Sequence, residues 1–232
     1  MPEKPRYAQG QPCWADLMSK DVARDVAFYQ GLFGWEPADP GAAEAGGYTQ
    51  MLLDGKIVAG VAGMSPAMVD SGMPAVWTTY LAVDDCDAVV GQVEPAGGMV
   101  LRPPMDVLEF GRMALVADPG GAPVALWQAG SHAGAQVVGE DGAVVWNELA
   151  TRQPAEAMAF FERLFEWKDE PQPMDTMTYH EIQLHGVAIG GCMPMDGWPE
   201  EIPSHWMLYF GVDDVDAVAA RAVELGGSAP VP

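Results

Sequence analysis

The chain repeats itself, and any fold it adopts must accommodate the same pattern twice. Cys13-Trp14-Ala15-Asp16-Leu17 has a counterpart in Val145-Trp146-Asn147-Glu148-Leu149. Phe28-Tyr29 followed by Leu32-Phe33-Gly34-Trp35 has one in Phe160-Phe161 followed by Leu164-Phe165-Glu166-Trp167, again 132 residues on. Residues 48–53 then match 179–184 at an offset of 131, and residues 77–85 match 206–214 at 129, as do Gly97-Gly98 and Gly226-Gly227. Ordered matches over so long a stretch mark two copies of one domain.

Each copy reads the same way. Alternating residues 12–18 (144–150 in the second copy) predict a strand, and Val22, Val26, Phe28, Tyr29, Leu32 and Phe33 recur at helical spacing before Gly34 ends the helix. Strands follow at 48–53 and 57–63 around the hairpin signal Asp54-Gly55. A strand at 75–83 runs into Asp84-Asp85, which suit the N-cap of a second helix ending near Gly97-Gly98. Strands at 99–102, 112–117 and 124–128 close the copy, the last two separated by Asp118-Pro119-Gly120-Gly121. The expected fold is therefore α+β: tandem βαβββ modules paired into curved mixed sheets. They form domains 1–128 and 142–232 joined by a Gly- and Ala-rich linker, 129–141. The last module is incomplete, since only Ser228 to Pro232 follow Gly226-Gly227; a continuation beyond this sequence is the expectation, ahead of an open half-barrel.

Composition narrows the partners. Against 33 acidic residues stand 11 Lys and Arg, a formal charge of -22, so the surface field repels phosphate backbones and anionic headgroups. Nucleic acid and membrane are not expected partners. The N-terminus is polar and no apolar run approaches the roughly 20 residues that span a bilayer, which predicts a cytoplasmic protein, monomeric or homodimeric. Cys13, Cys86 and Cys192 are odd in number and widely spaced, which predicts buried reduced thiols.

The helix carrying Ala27-Phe28-Tyr29-x-x-Leu32-Phe33-Gly34-Trp35 after Asp21, the later Val83-Asp84-Asp85-x-Asp87-Ala88, and Asp118-Pro119-Gly120-Gly121 resemble the vicinal-oxygen-chelate superfamily. That superfamily includes glyoxalase I, extradiol dioxygenases, fosfomycin-resistance enzymes and bleomycin-binding proteins. The resemblance covers residues 11 to 232, and its repetition within one chain resembles the fused two-domain, glyoxalase-like actinobacterial branch. It implies fold more firmly than function, because one scaffold hosts many chemistries. Metal-dependent members hold their ion on the concave face of the paired sheets. By position those ligands fall on Trp14, Thr78 and Ala125 in the first copy and on Trp146 and Met207 in the second. None is a credible donor for a divalent ion, so no metal and no other cofactor is expected. The histidines offer no substitute set: His132 lies in the linker, His205 opens a strand on the opposite parity, and His180 and His185 differ in parity on one strand.

Strand parity names the residues that line each cup instead. In the first copy these are Trp14, Asp16, Met18, Tyr48, Gln50, Leu52, Thr78, Tyr80, Ala82 and Trp127. The second presents Trp146, Glu148, Tyr179, Glu181, Gln183, Met207 and Tyr209. Aromatic faces with a few convergent polar groups suit a small aromatic or amphipathic molecule. Two readings follow. In the first, the cups bind such a ligand without metal and without turnover. The second is a metal-independent lyase, isomerase or cyclase in which Asp16 or Glu148 is the general base and Tyr80, Tyr48 or Tyr209 donates to a developing oxyanion. Plugging of the cups by Trp14 and Trp146 as core residues is the bland alternative.

Overall fold

A computed structural model describes residues 7–44 and 47–228. In chain order its elements are β1 (Pro12–Ser19), α1 (Val22–Phe33), β2 (Glu36–Pro37), α2 (Pro40–Glu44), β3 (Thr49–Leu53), β4 (Lys56–Gly63), α3 (Pro66–Asp70) and β5 (Val76–Ala82). After these come α4 (Cys86–Val93), β6 (Met99–Val107), β7 (Gly111–Ala117), β8 (Pro123–Ala129), β9 (Val144–Thr151) and α5 (Pro154–Phe165). The last are β10 (Lys168–Pro173), β11 (Thr178–Leu184), β12 (Val187–Pro194), β13 (His205–Phe210) and α6 (Val215–Glu224). The order is that of the repeated βαβββ module: α+β, with mixed sheets.

Local chemistry explains these boundaries. Asp21, Asp85 and Asp214 each accept a backbone N–H three residues on, at 3.1, 3.0 and 2.9 Å, satisfying a donor that the helix itself leaves unpaired. Asp54-Gly55 turns from β3 to β4 with both residues at positive φ, and His185-Gly186 does the same between β11 and β12. Five elements depart from the expectation, two of them the short helices α2 and α3, for which the sequence analysis has no counterpart. The strand after the first helix of each copy, β2 and β10, is missing from the sequence reading, because Pro37, Pro171 and Pro173 break the strand pattern. Proline is tolerated there because both strands lie at the end of their strand order, where an absent N–H costs no ladder bond. β6 likewise runs on through Pro103 and Pro104 to Val107 rather than ending at Arg102, with shifts of register against β7 along the way.

The described residues divide into two compact units, and this partition differs from the repeat. One unit comprises 7–14, Thr78–Gly134 and Trp146–Tyr209; the other comprises Ala15–Trp77, Ala135–Val145 and 210–228. In the first, strands follow the orders β5-β8-β7-β6 and β10-β11-β12-β9-β13. β5 with β8 and β9 with β12 are parallel, whereas β6 with β7, β7 with β8, β10 with β11 and β11 with β12 are antiparallel. Its core mixes the copies: Leu81, Val89, Val116 and Leu126 pack with Phe160, Phe161, Phe165 and Trp167. Phe161 stacks on Trp167 with ring centroids 4.5 Å apart. The physical reason is α4 and α5, each amphipathic, which bury their apolar faces in one shared cluster.

The second unit carries the order β2-β3-β4-β1, with α1 contributing Val22 and Val26 to a core that includes Trp35, Met51, Val58 and Val61 and that the rings of Phe33, Trp77 and Phe210 complete. Part of the stretch expected to link the copies is built into this unit. Gln136 donates its N–H to the Ile57 carbonyl at 2.7 Å and accepts the Ile57 N–H at 2.9 Å, and Val137 is buried. No helix among the described residues is long and apolar enough to cross a membrane.

Candidate functional site

Glu148 on β9 pairs in register with Gly191 on β12, and Gly191 with Glu181 on β11. A row across the sheet therefore reads acid, gap, acid. Tyr179 folds over the gap: a β-carbon at Gly191 would fall on its hydroxyl. That hydroxyl donates to Glu148 Oε2 at 2.8 Å and accepts the Trp146 Nε1–H at 2.9 Å. From β13 the Tyr209 hydroxyl donates to Glu148 Oε1 at 2.8 Å. Each carboxylate oxygen thus accepts from one tyrosine, and Glu148 is only 7% exposed although Tyr209 is 45% exposed. A buried charge demands such donors. Burial, reinforced by the bond to Glu148, pushes the Tyr209 hydroxyl up to about 12 and the Tyr179 hydroxyl higher still, so both remain protonated donors.

Four of the residues expected to line the second cup are brought together in this knot. Glu181 bonds instead to its neighbour Gln183, whose Nε2 donates to Oε1 at 2.9 Å, and Met207 lies half-buried on β13 two residues before Tyr209. Gly191 is absent from the sequence reading, yet the repeat carries its signal. Gly60 stands 131 residues earlier, the same offset that relates Tyr48 to Tyr179. In register Gly60 pairs with Asp16 on one side and Gln50 on the other, and a β-carbon there would fall on the Tyr48 hydroxyl and 3.1 Å from the Asp16 β-carbon.

The first-copy candidates fall into two groups. Asp16, Met18, Tyr48 and Gln50 belong to the unit built on β1 to β4, with Asp16 6% and Tyr48 48% exposed. Trp14, Thr78, Tyr80 and Trp127 belong to the other. There the Trp14 ring meets His132 edge-on at 4.5 Å, Trp127 donates its Nε1–H to the His132 carbonyl at 2.9 Å, and Tyr80 lies edge-on to Trp127 at 6.3 Å. Trp14, Tyr80 and Trp127 are 5 to 7% exposed, the packing expected of a plug rather than an open wall.

Other chemistries find little support. His180 turns to the opposite face from Tyr179, into a cleft beside Met158 and Trp167, where its Nδ1 lies 2.9 Å from both Asp169 oxygens. His205 bonds the Pro203 carbonyl, and His185 occupies an exposed turn. Among the described residues no three His, Cys, Asp or Glu converge as a metal cluster. Cys13, Cys86 and Cys192 are buried and unbridged, as expected from the sequence. Burial pushes the Cys86 thiol up to about 11 and Cys192 to about 12, so neither is a thiolate nucleophile at neutral pH.

Comparison with known proteins places this geometry in a family. Residues 13–126 match the model of the Glyoxalase/Bleomycin resistance protein/Dioxygenase superfamily. CFP32 of Mycobacterium tuberculosis, whose name assigns it provisionally to the glyoxylases, is 43% identical over 231 residues, covering 98% of this chain and 87% of that protein. The chain belongs to the glyoxalase/bleomycin resistance protein/dioxygenase superfamily. The anthracycline biosynthesis protein DauV of Streptomyces sp. (strain C5) is 42% identical over 236 residues, covering 96% of this chain and 84% of DauV. Among solved structures, the Mn(II)-bound glyoxalase from Novosphingobium aromaticivorans shares the fold. Its TM-score is 0.63 at 16% identity, covering 94% of this chain and 70% of that one.

The residues of this superfamily member do not fit a metal of that kind. At the positions carried over from the family, the Trp146 indole has no in-plane lone pair and spends its N–H on Tyr179, and Met207 offers only a soft thioether. In the first copy Trp14 and Ala125 offer no side-chain oxygen or nitrogen lone pair and Thr78 a single neutral hydroxyl, and in the second copy each Glu148 oxygen already accepts from a tyrosine. A hard divalent ion needs several converging oxygen or nitrogen donors.

Proposed function

We propose that this chain binds a small aromatic or amphipathic molecule without a metal, at the face formed by Trp146, Tyr179 and Tyr209 over Glu148. The single observation that carries the reading is the commitment of both Glu148 oxygens to tyrosine hydroxyls, 2.8 Å away on each side. A general base must have a lone pair aimed at the proton it removes, and an oxyanion donor must have its own proton free. Here each carboxylate oxygen still keeps a lone pair, but both tyrosine protons, the oxyanion donors that the catalytic alternative needs, are already committed to it. The knot holds three aromatic side chains in fixed positions around a satisfied acid, which favours ligand recognition over the lyase, isomerase or cyclase alternative. The name of the relative DauV, an anthracycline biosynthesis protein, agrees with an aromatic ligand.

Equilibrium dialysis of the chain against 2-naphthol, followed by chromatography of the recovered probe, tests this. Saturable uptake with the naphthol returned unchanged is the expected result. Absence of uptake at millimolar probe, or conversion of the probe to a new compound, overturns it.

A further inference from the structure

Hydrogen-bond polarity gives the ligand a more specific chemistry. A carboxylate only accepts, so the single O–H of Tyr179 and the single O–H of Tyr209 must both point at Glu148. Trp146 points its one N–H at Tyr179. Every proton in the knot is therefore turned inward. What remains, besides the second lone pairs of the buried Glu148, is the lone-pair capacity of the Tyr209 oxygen, which makes no other hydrogen bond among the described residues and belongs to a residue 45% exposed. The hydroxyl of Tyr179 has its acceptor side filled by the indole.

The pattern recurs in composition. Trp14, Asp16, Tyr48 and Tyr80 stand at the repeat-equivalent positions of Trp146, Glu148, Tyr179 and Tyr209. Two copies of one sequence have diverged at most other positions, yet each keeps an indole, an acid and two phenols here.

We infer that this site is an acceptor-only recognition surface, selecting ligands that present a hydrogen-bond donor, such as a phenolic hydroxyl or an aryl amine, and discriminating against those that present only a carbonyl or an ether. Glu148 is the specificity-determining residue although the ligand need not touch it, because its charge fixes the direction of both tyrosine protons. The inference rests on the binding reading above. It also names what would invert the preference. In Glu148→Gln the amide accepts from one tyrosine but donates to the other, whose own proton is released to point outward at a ligand carbonyl.

Calorimetric titration with three probes of one ring system decides the matter: 2-naphthol, which donates; 2-methoxynaphthalene, which only accepts through an ether; and 2-acetylnaphthalene, which only accepts through a carbonyl. The wild-type chain should bind 2-naphthol about tenfold more tightly than either acceptor, the effect of one hydrogen bond gained against one acceptor opposed to another. Glu148→Gln should weaken 2-naphthol and strengthen 2-acetylnaphthalene, bringing the two within about twofold. A preference due to shape alone would survive that substitution unchanged and would overturn the inference. Equal affinity of the wild-type chain for all three probes would overturn it too while leaving the binding reading intact, whereas failure of all three to bind would remove both. Should Glu148→Gln fail to fold, Tyr209→Phe keeps the ring and deletes the outward acceptor. Loss of the 2-naphthol preference in that variant supports the inference, and its retention overturns it.

Discussion

The Tyr179 hydroxyl occupies the space that a β-carbon on Gly191 would fill. Glycine is required at this point on β12 because a side chain there would lift the phenol off the sheet and away from Glu148. In Gly191→Ala the tyrosine swings outward, Glu148 loses one donor and Trp146 its acceptor. A buried charged group left with one fewer donor costs about 2 kcal/mol, so urea unfolding should report a loss of that size. In a Tyr179→Ala background the same glycine substitution should cost far less, since its obstacle is gone. Additive costs in that double-mutant cycle would show that Gly191 answers to something other than Tyr179.

Asp118 in the turn between β7 and β8 is 2% exposed, accepts the Ala122 N–H at 2.9 Å, and has no partner for Oδ2 among the described residues. Burial, only partly offset by backbone donors, raises its carboxyl from 3.8 to about 6. The folded chain therefore holds a proton that the unfolded chain releases between about pH 4 and pH 6, and this contribution to stability is lost as pH rises through that window. From 1.36 kcal/mol per pKa unit the full penalty is about 3 kcal/mol, reached above pH 6, and roughly half of it develops between pH 5 and pH 8. The stability difference between wild type and Asp118→Asn, measured by urea unfolding at those two pH values, should grow by that amount in favour of the variant. A difference independent of pH would contradict the assignment.

Much of the fold was legible in the sequence because its strongest signals are local. Asp85 caps the helix that the sequence assigns to it, its repeat equivalent Asp214 does the same, and Asp54-Gly55 makes the expected turn. The proline-bearing edges β2 and β10 were not legible, since their pairing is imposed by β3 and β11 and not by any propensity of Glu36–Pro37 or Lys168–Pro173. For the site, period-two parity put Trp146, Glu148, Tyr179 and Tyr209 on one face, and the hydrogen bonds join all four. Parity says nothing of how far a side chain reaches along its strand, so it missed that Tyr179 leans over Gly191 to the acid. It also offered no warning that Trp14 and Trp127 pack around His132, because the contact depends on how residues 129–134 turn back after β8.

The donor set around Glu148 makes a metal prediction. Elemental analysis of protein purified without added metal should find well below one ion of Zn, Ni, Mn or Fe per chain, and a chelator should leave 2-naphthol affinity unchanged. Near-stoichiometric metal that resists dialysis, or loss of affinity on chelation, would mean that Glu148 exchanges its tyrosines for an ion.

The last prediction comes from a difference between the copies. Trp77 donates its Nε1–H to the Tyr29 hydroxyl at 2.9 Å, the two rings lying edge to face at 5.4 Å and 79°. Their repeat equivalents, Trp206 and Phe161, keep the same edge-to-face packing at 5.8 Å and 79°, but Phe161 has no hydroxyl, and the buried Trp206 Nε1–H has no partner among the described residues. An unsatisfied buried donor costs about 1–3 kcal/mol. Phe161→Tyr supplies the missing acceptor, and against the strain of one more atom in a filled core it should raise stability by about 1 kcal/mol. Tyr29→Phe removes the acceptor of the partly buried Trp77 N–H in the first copy and should lower stability by about 0.5–1.5 kcal/mol. Urea unfolding of both variants checks the pair. If Phe161→Tyr is destabilising while Tyr29→Phe is neutral, the hydroxyl is not what distinguishes the two cores.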